Sequence, residues 1–244
     1  MSAALVVGGR RTALEAMRAG RATTVLLARG ARATSGLREL LDAAAARGIS
    51  VTEVERSELD ALDPDHHGVA VRVHLAETLD ERELSEWPYA EDAVVVVLDG
   101  ITDPQNLGAA ARSAEAAGAA MLVTRTRRAA DVTPAALRAS AGALFHLPHA
   151  RVANLTRALE RLQDAGFTVV GLDEAADAAV FRQPCPEGRL AVVLGAEGEG
   201  ISRLVRERCD VLVALPVRGR VSSLNASAAL AAALYAYVLP SRRS

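Results

Sequence analysis

The sequence predicts an α/β protein made of a small first unit and a larger second unit. Short apolar or β-branched runs alternate with helical patterns along both units, which is typical of sheets covered by helices. The 244 residues, half of them hydrophobic, suffice for one large domain or two modest ones. Seven acids and one arginine stand in residues 75–92, so we expect an acidic linker there, between domains at 1–74 and 93–244.

The first unit alternates between helix and strand patterns. It predicts strands over 23–28, 49–54 and 68–73, a short turn over 59–62, and helices over 11–19 and 35–47. Gly20 and Gly48 follow the two helices, as glycine often does at helix ends. At about 75 residues, the unit is close to the lower size at which a domain folds alone.

The second unit repeats the alternation on a larger scale. Helices are predicted over 105–117, 134–140, 154–165, 202–208 and 224–237, and strands over 93–98, 120–123, 143–146, 168–172, 190–194 and 211–215. This order predicts a parallel sheet covered on both faces. Ligands of such sheets bind at the carboxyl ends of the strands, so we expect chemistry in the loops after Leu98, Leu194 and Leu215.

The composition excludes several classes of protein. The longest apolar runs are far too short to cross a bilayer, and the first residues show no secretory signal, so we expect a cytoplasmic protein. Cys185 and Cys209 cannot form a disulfide scaffold or a cysteine-based zinc site. His66 and His67 stand beside a predicted strand, where a structural role is favoured over metal binding, and we expect no metal.

The net charge of −2 alone argues against a nucleic-acid partner. The three segments, however, carry net charges of +1, −6 and +3, and the first 50 residues carry +5. All 28 basic residues are arginine, which coding bias explains, although arginine also suits planar contacts to phosphate and base. The candidate RNA contacts are Arg10, Arg11, Arg218 and Arg220.

The first loop runs from Asp99 into a predicted helix. Asn106 stands near the start of that helix, where its side chain could cap backbone donors or serve a site. Arg112 lies about two turns further on. It belongs either to a solvated face or, because Ala109–Ala111 beside it are small, to a site or an interface.

The second loop follows a buried strand with Gly195, Gly198 and Gly200. This G-x-x-G-x-G spacing differs from the dinucleotide fingerprint, and a chain without lysine has no phosphate-binding G-x-x-x-x-G-K-[ST] loop. Hydride transfer and nucleotide hydrolysis therefore lose their main support. Glu197 could bind a polar ligand group or hold the loop.

The third loop, after Leu215, carries two arginines, two serines and an asparagine. Ser222 or Ser223 could simply cap the next helix, and Asn225 could bond to backbone. The alanines that follow allow close packing within the domain or across a dimer. The chain shows no Ser/His/Asp set at a nucleophile elbow.

Together the loops resemble the three motifs of the SpoU (TrmH) family of RNA 2′-O-ribose methyltransferases in the SPOUT superfamily. The resemblance covers roughly 93–239 and rests on Asp103-Pro-Gln-Asn-Leu-Gly with Arg112, on Leu194-Gly-Ala-Glu-Gly-Glu-Gly, and on Leu215-Pro-Val-Arg-Gly with Ser223-Leu-Asn-Ala-Ser. The first unit resembles that family's small RNA-binding domain through Val7-Gly-Gly-Arg-Arg-Thr-Ala and His66-His-Gly-Val-Ala. Three motifs in the right order make the resemblance specific.

The resemblance implies a mostly parallel sheet with a C-terminal trefoil knot, which periodicity could not supply because true knots are very rare. It implies an obligate homodimer with its site near the interface. It also implies S-adenosyl-L-methionine as methyl donor, held by Gly195, Leu215 and Leu224. The catalytic site would contain Asn106, Arg112, Glu197, Ser223 and Asn225.

The chemistry implied is attack of a ribose hydroxyl on a sulfonium methyl group, for which the protein positions the pair and handles one proton. The family's proposal makes the arginine the base. Because arginine is effectively always protonated, stabilisation of the developing alkoxide and the adjacent phosphate by Arg112 is an equally good hypothesis.

The favoured function is 2′-O-methylation of a guanosine in 23S rRNA. Within the family, tRNA methylation and antibiotic-resistance methylation of an rRNA adenosine are alternatives. A non-catalytic RNA-binding protein and a small-molecule α/β enzyme are alternatives from other classes. The intact motifs disfavour the first of these, and the arginine-rich N-terminal unit disfavours the second.

Overall fold

Two separate sheets organise the chain in the computed structural model, which describes residues 5–174, 176, 184–220 and 224–242. The first sheet has the strand order β1-β4-β2-β3, with β4 antiparallel to β1 and β2, and β2 parallel to β3. Its elements are β1 Leu5–Gly8, α1 Arg10–Arg18, β2 Ala22–Ala28, α2 Ser35–Ala46, β3 Ser50–Val54, α3 Arg56–Leu62 and β4 Val69–Val73.

The second sheet has six parallel strands in the order β10-β8-β9-β5-β6-β7, as the alternating pattern predicts. Its strands are β5 Val94–Asp99, β6 Met121–Arg125, β7 His149–Val152, β8 Phe167–Leu172, β9 Arg189–Gly195 and β10 Val211–Val213. Its helices are α4 Glu81–Glu86, α5 Pro104–Ala116, α6 Pro134–Ala139, α7 Leu155–Asp164, α8 Arg203–Arg206 and α9 Ala226–Ala233.

Three sequence expectations need correction, and one strand was not predicted. The strand predicted over 143–146 is wrong: Ala143–Phe145 is a 3-10 turn, and the strand is β7. Gly142, with φ 92, begins that turn, and all three of its side chains are buried between the units. The turn predicted over 59–62 is helix α3, strand β1 was not predicted, and the helix predicted over 224–237 continues after α9 as a π-helical segment, Leu234–Val238.

The two units share one hydrophobic core. Met17 of α1 and Val7 of β1 belong to the same buried cluster as Leu137 of α6 and Phe145. Arg138 forms ion pairs across the junction with Asp63 and with Asp65, the latter at 2.8 Å. The first unit is therefore docked firmly on the second.

The acidic segment packs on the second sheet. Leu84 of α4 is fully buried, and the Leu79 amide donates to the His149 carbonyl at 2.9 Å. Asp80 caps α4 in a capping box with Glu83, an arrangement that stabilises short helices.

The described residues contain neither a membrane-spanning helix nor a metal-binding cluster. No helix there is long and apolar enough to cross a membrane, and no group of three His, Cys, Asp or Glu is placed to hold a metal ion. Both cysteines are free. Burial raises the pKa of Cys209 to about 12, with Asp210 adding to the effect, so its thiol stays protonated at neutral pH.

Candidate active site

A cleft opens at the carboxyl ends of β8, β9 and β10, where the sequence places two of the three loops. It encloses about 570 Å³ of space outside the protein atoms, part of it open to solvent. All three residues predicted to hold the cofactor, Gly195, Leu215 and Leu224, line this cleft. Its apolar wall also includes Leu172, Leu194 and Val213.

Gly195 permits the tight fold of the second loop. A Cβ atom at this position would lie 2.0 Å from the carbonyl carbon of Gly200, a separation no side chain tolerates. The Gly200 amide donates to the Ala196 carbonyl at 2.8 Å, which closes the loop over the end of β9. The absence of a side chain at position 195 is therefore what shapes this wall of the cleft.

Asp99 anchors the far side of the same loop, and sequence reasoning did not single it out as a site residue. It is 3% exposed, and its Oδ2 accepts from the Ser202 amide at 2.8 Å while Oδ1 faces an Arg125 nitrogen at 3.0 Å. The sequence signal that could have indicated this role is the position of Asp99, an acidic residue at the end of the otherwise apolar strand β5. Its contacts connect β5, β6 and the second loop.

Three polar side chains from the three loops meet at the edge of the cleft. The Asn225 amide nitrogen donates to Oδ1 of Asn106 at 3.0 Å and lies 3.4 Å from Oε2 of Glu197. Glu197 itself lines the cleft. The structure thus brings together three of the five predicted catalytic residues, although they are far apart in the sequence.

The helix caps leave the Asn106 side chain available for this contact. Asp103, not Asn106, caps α5 by accepting from the Gln105 amide, so the capping alternative for Asn106 is wrong. Asn225 does cap α9: its Oδ1 accepts from the Ser227 amide at 3.0 Å while its amide group faces Asn106.

Arg112 lies apart from these three side chains. It is exposed and lines a groove between the two units together with Arg10, Arg11 and Arg138, and it is not among the residues that line the cleft. Six residues along α5 turn its side chain about 120° away from that of Asn106 and carry it about 9 Å along the axis. Within a single chain, the described residues therefore place Arg112 in the groove between the units and not at the cleft.

The other predicted contacts are only partly visible. Arg218 and Arg220 are exposed in the segment after Val217, which lines the cleft. Arg10 and Arg11 line the groove at the junction of the units. Ser223 lies outside the described residues.

Acidic groups dominate the charge of the cleft. Asp173, Glu174 and Glu197 line it, whereas no arginine does among the residues that the structure describes there. Arg206 forms an ion pair with Asp173 and offsets part of this negative charge. The cleft favours a ligand that combines an apolar body with positive charge.

The parallel sheet, the cleft at its carboxyl edge and the polar groups beside that cleft define an α/β enzyme with a small-ligand site. The sequence pattern of the SpoU rRNA methylase family matches residues 93–235, and a pattern described as RNA 2′-O ribose methyltransferase substrate binding matches residues 6–79. The chain belongs to the SpoU family of methyltransferases, and the resemblance found in the sequence is confirmed.

Individual relatives agree with this assignment. A protein named as an uncharacterized tRNA/rRNA methyltransferase in Mycolicibacterium vanbaalenii is 43% identical over 248 residues, which cover 98% of this chain and 77% of that protein. A protein of the same name in Mycobacterium avium is 42% identical over 225 residues, which cover 91% of this chain and 72% of that protein.

Solved structures show the same fold over nearly the whole chain. The SpoU methyltransferase AviRb from Streptomyces viridochromogenes matches with a TM-score of 0.80 and 31% identity, over 98% of this chain and 90% of that one. Its complex with the cofactor AdoMet matches with a TM-score of 0.79 and 32% identity, over the same shares of the two chains.

Proposed function

We propose that this chain catalyses S-adenosylmethionine-dependent 2′-O-methylation of a ribose in RNA, with a guanosine of 23S rRNA as the target. The observation that carries the proposal is the contact of Asn106, Glu197 and Asn225 beside a cleft lined by Gly195, Leu215 and Leu224. Family membership and the AdoMet complex of AviRb support the choice of cofactor.

The cleft residues fit this cofactor. The close approach of the backbone at Gly195 would let a ligand contact main-chain groups, and the apolar wall would accept an adenine ring. Glu197 and Glu174 would face the positive charges of the donor. When bound, S-adenosylmethionine would supply an electrophilic methyl group for a ribose 2′-hydroxyl.

The protein's own residues would orient the reactants and stabilise charge. Asn106 and Asn225 would hold the two loops and the ribose in a fixed geometry, a contribution that positioning alone makes large. Arg112, which stays protonated, would stabilise the developing alkoxide and the adjacent phosphate. Ser223 remains a proposed member of the same site.

A homodimer would explain why Arg112 lies away from the cleft. Leu224 and Tyr235 are 45% and 53% exposed, and Ala228 of α9 is also exposed, so an apolar strip flanks the site. We propose that a second copy covers this strip and that Arg112 of one copy serves the cleft of the other.

Mixed dimers test this arrangement. Arg112→Ala and Asn225→Ala, each strongly impaired alone, would reach up to about a quarter of wild-type activity when mixed and allowed to exchange, because half of the dimers would then hold one intact site. No recovery despite demonstrated exchange, or a fully active monomer in light scattering, would contradict it.

The catalytic proposal is tested by tritiated methyl transfer to unmodified total rRNA and tRNA, with mapping of the modified nucleotide. A 2′-O-methylguanosine in 23S rRNA is the expected product. Modification of tRNA or of an rRNA adenosine would overturn the proposed substrate but support the proposed 2′-O-methylation reaction. No transfer to either RNA, together with no donor binding in calorimetry, would overturn the enzymatic proposal.

Several structural expectations belong to the same proposal: a trefoil knot, domains at 1–74 and 93–244 with a linker at 75–92, and a cytoplasmic location. Strand β9 comes late in the chain but lies at the centre of the sheet, between β5 and β8. The still later helix α9 packs on α5, which directly follows the first strand of this sheet. This order supports a chain that returns through its own fold.

A further inference from the structure

Asp99 ends strand β5 directly beside the wall of the cleft. In the pairing of β5 with β9 it lies opposite Gly195, the residue whose missing side chain shapes that wall. Asp99 itself is 3% exposed and is not among the residues that line the cleft. Any effect of Asp99 on a ligand in the cleft therefore has to pass through other residues.

The carboxylate of Asp99 joins the two ends of the second loop. The loop leaves β9 at Gly195, which lies opposite Asp99 in the sheet. It ends at Ser202, whose amide donates to Oδ2 of Asp99 at 2.8 Å. A hydrogen bond to an ionised carboxylate is stronger than one between neutral groups. One residue thus fixes both the start and the far end of the loop.

The second loop depends on such an anchor because its own sequence is flexible. Gly198 and Gly200 within it adopt positive φ values of 79 and 67, and residues 197–200 are exposed, so packing restrains them little. Glycine loses more conformational freedom on ordering than any other residue. The anchor at Asp99 therefore has a large share in keeping the loop, and Glu197 within it, beside the cleft.

Arg125 orients the carboxylate of Asp99. Its Nη2 lies 3.0 Å from Oδ1 of Asp99 and donates to the Ser202 hydroxyl at 3.4 Å, so the guanidinium contacts both partners of the anchor. Its own Nε is left buried without a hydrogen-bond partner, which is costly. Because desolvation offsets the attraction within a buried ion pair, stability alone does not account for this arrangement, whereas a role in positioning does.

We propose that Asp99 is a positioning residue for the methyl donor. Its carboxylate, oriented by Arg125, fixes the second loop in the shape that forms the wall at Gly195 and keeps Glu197 beside the cleft. The inference rests on the proposed function, which places S-adenosylmethionine in this cleft. Loss of the anchor should weaken donor binding and leave the affinity for RNA unchanged.

Calorimetry with S-adenosylmethionine on the full chain tests the two anchoring side chains. Asp99→Asn keeps the size of the side chain, but its amide nitrogen must face a hydrogen-bond donor, either Arg125 or the Ser202 amide. We expect the dissociation constant for the methyl donor to rise about tenfold or more, because one contact of the anchor is lost. Arg125→Gln, at a partly exposed position, should raise it about threefold.

Asp210→Asn is the matched control. Asp210 also accepts from a backbone amide, that of Val169 at 2.7 Å, and from a side-chain nitrogen, that of Gln163 at 2.9 Å. It stands directly before β10, at the opposite edge of the sheet, and does not line the cleft. Donor affinity in this variant should stay within about twofold of wild type, even where the melting temperature falls, because distant sites act independently.

Methyl-transfer kinetics with unmodified rRNA separate positioning from a general loss of structure. In Asp99→Asn the KM for the donor should rise with the dissociation constant, while the KM for RNA stays within about twofold of wild type. The double variant Asp99→Asn/Arg125→Gln should bind the donor no more weakly than Asp99→Asn, since both changes act through one contact.

The inference is overturned by unchanged donor affinity in either single variant, by an equal loss in Asp210→Asn, by effects that multiply in the double variant, or by a KM for RNA that rises with that for the donor. If Asp99→Asn does not fold, donor affinity in Arg125→Gln decides the question. Weaker donor binding in the variants, with no RNA methylated by the wild-type protein, would support the inference and refute the proposed reaction. Methyl transfer by the wild-type protein, with donor affinity unchanged in the variants, would do the reverse.

Discussion

The side-chain amide of Asn225 donates to Oδ1 of Asn106 across 3.0 Å, although 119 positions separate the two residues in the chain. The contact joins the first turn of α5 to the cap of α9, and it forms because these two helices pack against each other. Asn225 therefore combines a structural role, as a helix cap, with a position in the candidate active site.

Substitution of Asn225 should separate these two roles. Asn225→Ser keeps a good helix cap but removes the amide that reaches Asn106 and Glu197, so we expect turnover to fall roughly 10- to 100-fold with little loss of stability. Asn225→Ala should lose the same activity and a further ~1 kcal/mol of stability. Methyl-transfer rates and urea unfolding measure the two effects, and full activity in Asn225→Ser would refute the site assignment.

Arg112→Ala should lower turnover about 100-fold or more, because a positive charge at the developing alkoxide is lost. Donor affinity should stay near wild type, since the donor is assigned to Gly195, Leu215 and Leu224, whereas Arg112 is assigned to the ribose alkoxide and phosphate of the RNA. Arg112→Lys distinguishes the two roles: a pH–rate profile like that of wild type would count against a base, and a shifted profile would count against purely electrostatic stabilisation. Calorimetry of donor binding is the control measurement.

Gly195→Ala should abolish donor binding or weaken it more than tenfold, because the new methyl group would overlap the backbone of Gly200. We expect about 1–3 kcal/mol of destabilisation from the displaced loop. Gly198→Ala is the matched control in the same loop: its Cβ would meet nothing within 4 Å, although φ is +79°, so only the smaller backbone strain applies. Equal donor affinity in the two variants would contradict the assignment of Gly195 to the cofactor wall.

His149 should make stability depend on pH. Burial, reinforced by Arg151, lowers the pKa of His149 to about 4, whereas an unfolded histidine has a pKa of about 6.5. Between these values the unfolded chain binds more protons, so the free energy of unfolding should fall by up to about 3 kcal/mol as pH decreases from 6.5 to 4. His149→Gln should show a shallower decline in urea unfolding at the same pH values, and an unchanged slope would exclude the His149 contribution.

Local pattern was sufficient for most elements and failed where tertiary contacts decide the conformation. The periodicity over 35–47 predicts α2 to within a residue of its observed end at Ala46. The apolar run at Ala143–Phe145 predicts a strand, but both units bury it as a 3-10 turn. Strand β1 is only Leu5–Gly8 and depends on pairing with β4, which a short local pattern cannot reveal.

The sequence by itself determined the family, the parallel pairing of strands in the second sheet and the loops that meet beside the cleft, because motif spacing and alternation are local properties. The tertiary structure alone decided that Asp103 caps α5 while Asn106 meets Asn225, and that Arg112 points toward the first unit. It also gathered arginines distant in the chain into the groove between the units. These relationships depend on how helices and units pack, and that packing is set by contacts between residues far apart in the sequence.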